Sequence, residues 1–137
     1  MREIKFRAWD KTESEWIDIK YLRFEFNDFW YLQEQDEYEN EIDPPYFSGD
    51  EDFELMQYTG LKDKNGVDIY EGDIIRSDKD SPIGTIVTAK VYWKGAGFAL
   101  LTTRGSDTTS AYLELLNPFC EVIGNIYEHP HLLEVSE

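Results

Sequence analysis

The sequence is poor in the residues that build covalent and metal-centred frameworks. It holds one cysteine, Cys120, and two histidines, His129 and His131. One cysteine cannot close an intrachain disulfide, which fits a reducing cytoplasm. One Cys and two His cannot complete a closed tetrahedral zinc site. No run approaches the roughly 18 consecutive apolar residues of a membrane span. Met1 to Asp10 alternates charged and apolar residues instead of presenting the apolar stretch of a secretory leader. Absent too are a Gly-x-Gly-x-x-Gly fingerprint, a P-loop and a nucleophile elbow: Gly95-Ala96-Gly97 reads as a turn, and Ser81, Ser106 and Ser110 fall in polar turns. Basic residues are scarce, 13 Lys+Arg against 29 Asp+Glu, for a formal charge of -16. That excess repels phosphate and anionic lipid, so neither nucleic acid nor a membrane surface is a favoured partner.

What is present points to one folded domain across residues 1–137, since about 100 to 200 residues per domain is usual. Four Trp, nine Tyr and eight Phe separate the chain from acidic disordered tails, which are poor in aromatics. The charge is local. Phe24 to Leu61 carries 12 acidic residues and no Lys or Arg, so 38 residues supply -12 and the remainder only -4. Within it, residues 34–54 read as an exposed acidic loop or insertion, because Pro44-Pro45 and Ser48-Gly49 interrupt both helix and strand. Its carboxylates, Glu34, Asp36, Glu37, Glu39, Glu41, Asp43, Asp50, Glu51, Asp52 and Glu54, are the candidate protein-contact residues. Asp50-Glu51-Asp52 lacks the alternation of a calcium loop, so a solvated acidic run is the better reading than a metal site.

Elsewhere the hydrophobic period is two, the signature of strands. Ile4, Phe6 and Ala8 alternate with Lys5, Arg7 and Trp9, and Trp16 to Ile19 continues or partners that run across a Lys11-to-Ser14 turn. Leu22 to Phe26 and Phe29 to Leu32 read as a hairpin about Asn27-Asp28. Leu55 to Thr59, Gly72 to Arg76, Thr85 to Trp93, Phe98 to Thr102 and Cys120 to Tyr127 complete the set. Asn65-Gly66 favours a tight turn with positive φ at both central positions. Gly124 marks a bulge or a close approach. Ala111 to Leu116 fits a helical turn or a strand, and Pro130 to Glu134 a short helix or an extended tail. The prediction is a mainly β protein with little helix. Its sheets are coiled and strongly bent, and a small SH3-like barrel portion occupies the C-terminal half.

Three blocks carry a family resemblance. They are Ile4-Lys5-Phe6-Arg7-Ala8-Trp9-Asp10, then Leu55 to Gly66 with Ile69 to Ile75, and Glu121 to Glu128 with Pro130, Leu132 and Leu133. In order and spacing they resemble the YopX family of small proteins encoded by bacteriophages and prophages. The resemblance implies a β-rich fold of bent sheets, a phage or prophage origin and action inside the bacterial cell. It brings no catalytic residues and no cofactor. His129-Pro130-His131 stands where such proteins commonly have a polar-Pro-acidic run. The block residues Trp9, Tyr58, Gly60, Leu61, Asp63, Gly66, Tyr70, Gly72, Asp73, Gly124, Asn125 and Pro130 also have an architectural reading, as turn formers and core. Lys62, Asp63 and Lys64 would then solvate a hairpin tip.

Candidates for chemistry are few. Cys120 opens an apolar strand with no cation to lower its pKa, so it reads as a buried small hydrophobe. His129 and His131 read as a surface tail. The leading expectation is a non-enzymatic, cytoplasmic accessory protein. It would work through protein contacts and self-association, with the acidic loop engaging a basic partner. The rival is a nucleic-acid-binding barrel face built from Lys62, Lys64, Arg76, Lys90 and Lys94 with Tyr92 and Trp93. A metal-dependent enzyme ranks third.

Overall fold

The computed structural model describes residues 4–17, 19, 21–25, 29–33, 46–47, 52–82, 84, 86–94, 97–102 and 116–133. They form an almost purely β structure whose contacts group into two compact units. The smaller is Phe6–Met56, and the larger combines Met1–Lys5 with Gln57–Glu137.

In the smaller unit, β1 (Phe6–Asp10) and β2 (Glu15–Ile17) make an antiparallel hairpin in the register Ala8↔Ile17, Trp9↔Trp16, Asp10↔Glu15. The Asp10 carboxylate shapes the connection by accepting the N–H groups of Thr12 at 2.9 Å and Glu13 at 3.0 Å. Ser14 closes it at φ 54, a left-handed conformation that small polar residues tolerate. The alternation read from the sequence puts Ala8 and Ile17 on one face, where they pack with Phe53, Ile19 and Leu55. Trp9, on the opposite face, is buried as well, so β1 is covered on both sides. A second, three-stranded sheet holds β3 (Tyr21–Glu25), β4 (Phe29–Gln33) and β5 (Tyr46–Phe47). The expected hairpin is there, but its register closes at Glu25↔Phe29, whereas a two-residue turn would have paired Phe26 with Phe29. Tyr46–Phe47 lies inside the segment expected to be loop and pairs with Tyr31 and Leu32 of β4.

The long strand β6 (Phe53–Lys62) starts in the smaller unit beside β1, giving the order β2-β1-β6-β7, and runs on into the larger one to pair with β7 (Asp68–Tyr70). The register shifts between Tyr58 and Lys62, a stretch that contains Gly60 at φ 87. The larger unit's own sheet has the order β10-β9-β8-β11, from β8 (Asp73–Ser77), β9 (Thr88–Lys94), β10 (Gly97–Thr102) and β11 (Cys120–Asn125). It curls strongly into a half-barrel, as the strand spacing predicted. Period-two alternation fills one face with Ile75, Ala89, Val91, Phe98, Leu100 and Cys120, joined by Ile69 and Leu116. Two short 3-10 turns, η1 (Asn117–Phe119) and η2 (Pro130–Leu133), supply the only helical turns assigned an element among the described residues. Pro130 opens η2, so of the two readings of Pro130 to Glu134 the short helix is the one found, and the missing N–H costs nothing at that position. Ala111 to Leu115 and the carboxylates from Glu34 to Asp43, with Asp50 and Glu51, lie outside the described residues.

Candidate functional site

The middle sequence block converges on one carboxylate. Asp63 directly follows β6 and is buried, so it does not solvate the hairpin tip as Lys62 and Lys64 do. Its Oδ1 accepts the N–H groups of Asn65 at 2.8 Å and Val67 at 2.9 Å, while Oδ2 accepts the N–H of Val122, 59 residues away, at 2.9 Å. The physical reason is local. Backbone pairing of Asp63 with Val67 and Gly66 leaves N–H groups pointing inward, and an ionised side chain answers them with charge-assisted bonds. Positive φ occurs at Gly66 (81°) but not at Asn65, which corrects the expected two-residue turn: the loop is longer, and Asp63 holds it. Two more bonds dock the tip, Lys64 N–H to the Cys120 carbonyl at 2.9 Å and Asn117 Nδ2 to the Lys62 carbonyl at 2.9 Å.

The C-terminal block repeats this device. Asn125 is buried, and its Oδ1 accepts the N–H groups of Tyr127 at 3.0 Å and Glu128 at 2.8 Å, while its Nδ2 donates to Glu128 Oε1 at 2.9 Å. The chain turns back so that His129 Nδ1 accepts the Asn125 N–H at 3.3 Å. That turn seats the imidazole against Gly124, where an added Cβ would lie 2.7 Å from Nδ1 and 2.8 Å from Cγ. Both sequence readings of Gly124 are realised: β11 shifts register between Val122 and Gly124, and the residue takes the close approach of a ring. His129 is therefore half-buried and engaged rather than part of a surface tail. Asp73 follows the same pattern in the middle block, accepting the Tyr70 N–H at 2.7 Å.

The basic residues of the nucleic-acid reading are divided. Lys62 and Lys5 both bond Asp68, each at 2.5 Å, and Lys64 lies 3.8 Å from Asp78. Hydrogen bonds from the two lysines hold the Asp68 carboxyl below its usual range, and the bond to Asp68 raises Lys62. Beneath them Tyr58 is buried, with Lys5 Nζ 4.6 Å from its ring centre; burial first, then the Asp68 charge, raises its phenol. Lys90 and Tyr92 share one face of β9, whereas Trp93 lies on the other, edge-on to Phe98 at 4.8 Å. Arg76 is paired across strands with Glu121. Cys120 is fully buried, and burial pushes its thiol up to about 12, far from a thiolate nucleophile. Among the described residues no group of three or more His, Cys, Asp or Glu side chains is placed to hold a metal ion. No helix among them is long and apolar enough to cross a membrane.

In the smaller unit Asp10 is buried on its own turn, whereas the other described acidic side chains are exposed or half-buried. Asp52 and Glu13 are exposed, and Glu54 pairs with Lys11 at 3.0 Å. The same unit carries an aromatic pair, buried Trp9 against exposed Trp16, whose contact the sequence alone did not point to. Trp9 and Trp16, cross-strand partners, meet edge to face with ring centres 5.0 Å apart. The signal was there in the β1–β2 turn: once the register is fixed, the two indoles must face each other.

This architecture has known counterparts. The family model described as YopX protein matches residues 5–134. The crystal structure of protein yopX from Bacillus subtilis is similar with a TM-score of 0.67 at 24% identity, over 98% of this chain and 100% of that one. Protein EF1440 from Enterococcus faecalis is similar with a TM-score of 0.59 at 25% identity, again over 98% of this chain and 100% of that one. No curated protein matches the chain. With the family match spanning all three sequence blocks and the bent β architecture shared with these structures, the chain belongs to the YopX family.

Proposed function

We propose that this protein is a non-enzymatic accessory protein of phage or prophage origin that acts in the bacterial cytoplasm through protein contacts. Its partner is a basic protein, engaged by the acidic surface of the smaller unit. The observation that carries this reading is the segregation of charge: Phe6–Met56 holds 16 acidic and four basic residues, -12 of the total -16, in 51 positions. A field of that sign steers a basic partner and penalises a phosphate backbone. The pairing of Lys5, Lys62 and Lys64 with Asp68 and Asp78 supports the same reading, because those cations are already neutralised within the protein. The high thiol pKa of buried Cys120 agrees with a role other than covalent catalysis.

The test replaces Glu34, Asp36, Glu37, Glu39, Glu41, Asp43, Asp50, Glu51, Asp52 and Glu54 with Gln or Asn and repeats a pull-down from lysogenic cells. Capture of the partner should vanish, and the affinity of the wild-type complex should fall as salt rises. Unchanged affinity with an unchanged salt slope overturns the proposal. Self-association belongs to the same reading, and the solution mass decides it.

A further inference from the structure

Of the five asparagines, Asn65 alone precedes a glycine, and both residues are exposed at the β6–β7 tip. An asparagine side chain is open to attack by the backbone nitrogen of the next residue, and glycine, with no Cβ, hinders that attack least. Asn117 precedes Pro118, whose nitrogen carries no hydrogen, and Asn125 is buried with both ends of its amide engaged. At the tip, however, the nitrogen that would attack is tied down. Gly66 N–H donates to the Asp63 carbonyl at 3.0 Å. On either side of it, Asp63 Oδ1 accepts the N–H groups of Asn65 at 2.8 Å and Val67 at 2.9 Å. Asp63 N–H returns a bond to the Val67 carbonyl at 2.8 Å. One residue thus holds three successive N–H groups, and its other carboxylate oxygen anchors the loop to Val122 on β11. To react, the Gly66 nitrogen must give up its proton and swing onto Asn65 Cγ, and these bonds oppose both movements.

We propose that Asn65 is a site of spontaneous deamidation that Asp63 keeps closed in the folded chain and that opens when the tip leaves β11. The Gly66 nitrogen bonds to Asn65 Cγ, the bond from Cγ to Nδ2 breaks, and the proton lost from Gly66 departs with the amide as ammonia. Water then opens the five-membered imide at either carbonyl, leaving aspartate or isoaspartate at position 65. Nothing is oxidised or reduced, and water is the only co-reactant. The isoaspartate product routes the main chain through the former side chain, one methylene longer. Asp63 Oδ1 can then no longer span the N–H groups at positions 65 and 67 while Oδ2 reaches Val122. The new carboxylate, two residues from Asp63, adds repulsion. Each opening of the tip therefore risks a one-way change, and position 65 records how long the loop has been free of β11.

The experiment incubates the full chain at neutral pH, folded and in urea. Mass spectrometry follows the peptide that carries Asn65 for the gain of one dalton and for the isoaspartate product. The folded chain should react at least about tenfold more slowly than the unfolded one, the factor that a single net hydrogen bond supplies. Asp63→Ala should lose most of that protection. Asp10→Ala, which removes the carboxylate that shapes the β1–β2 turn, should keep it. Equal rates in the folded and unfolded wild-type chain overturn the proposal. So does equal acceleration by the two substitutions, which traces the protection to global stability instead of to the tip. If Asp63→Ala fails to fold, amide exchange at Asn65, Gly66 and Val67 of the wild-type chain decides, measured across urea concentrations below the unfolding transition. Deamidation should rise in step with the opening of those three N–H groups, and a rate that ignores their opening overturns the gate.

Discussion

Phe6–Met56 holds 13 of the 21 aromatic residues and 16 of the 29 acidic ones, while the other unit holds eight of the nine glycines. The two regions put the same carboxylate group to different uses. In the larger unit Asp63 and Asp73 turn inward onto backbone N–H groups, and Asp68 bridges two lysines. In the smaller unit Asp10 caps a turn in the same way, but there the acidic residues outnumber basic ones fourfold. A carboxylate stabilises a fold when the chain offers it unpaired donors or cations. Without them it contributes mutual repulsion and an external field. One composition therefore yields a cross-linked body and a unit dense in acidic and aromatic residues.

Removing an inward carboxylate gives the largest expected effect. Asp63→Ala leaves three N–H groups without their acceptor and should cost about 4 kcal/mol of unfolding free energy. Asp63→Asn should cost about half of that, since its Nδ2 cannot accept from the Val122 N–H. Denaturant melts give the magnitudes, and amide exchange gives the location: loss of protection around Trp9 and Trp16 would break the contrast between the units. Gly124→Ala comes next, at about 2 kcal/mol, because the new methyl meets the His129 ring. In a His129→Ala background the same substitution should cost little, and a full penalty there would assign it to something other than the ring.

The Asp68 effect is smaller and depends on pH. Its folded pKa lies below the unfolded value, so its contribution is present above the unfolded value, about 4, and disappears as pH falls through the lowered folded one. Asp68→Asn should flatten that acid limb by less than about 1 kcal/mol, because the pair is open to solvent. Smallest should be the response to salt. Screening should relieve repulsion in the acidic unit and raise its protection slightly, and an equal gain in both units would erase the distinction.

The elements of the half-barrel were legible because Ile74 to Arg76, Thr85 to Trp93 and Phe98 to Thr102 are short apolar or β-branched runs separated by glycine-containing turns. Asp63 was legible in principle, since an aspartate two residues before Asn65-Gly66 is placed to cap its own turn. Reading Asn-Gly as a two-residue hairpin hid it, and burial of the carboxylate reversed the expectation of a solvated tip. The Gly124–His129 contact was beyond reach, because it depends on a turn made by the Asn125 side chain. The divided basic set was equally hidden: Lys62 faces Asp68 only through a register that shifts between Tyr58 and Lys62. The contact role given to Glu34 to Asp43, Asp50 and Glu51 falls outside the described residues, so only Asp52 and Glu54 of that set have a described place in the fold.

The Asp63–Val122 bond also sets an order of events during synthesis. The Asn65 and Val67 bonds close within four residues, so the loop can form and fix the carboxylate as soon as it leaves the ribosome. Its second oxygen then waits for a donor 59 residues downstream, which at about 5 to 20 residues per second arrives roughly 3 to 12 s later. In the last part of that interval, once β10 is complete, the nascent half-barrel lacks only its fourth strand and the β8 edge is open.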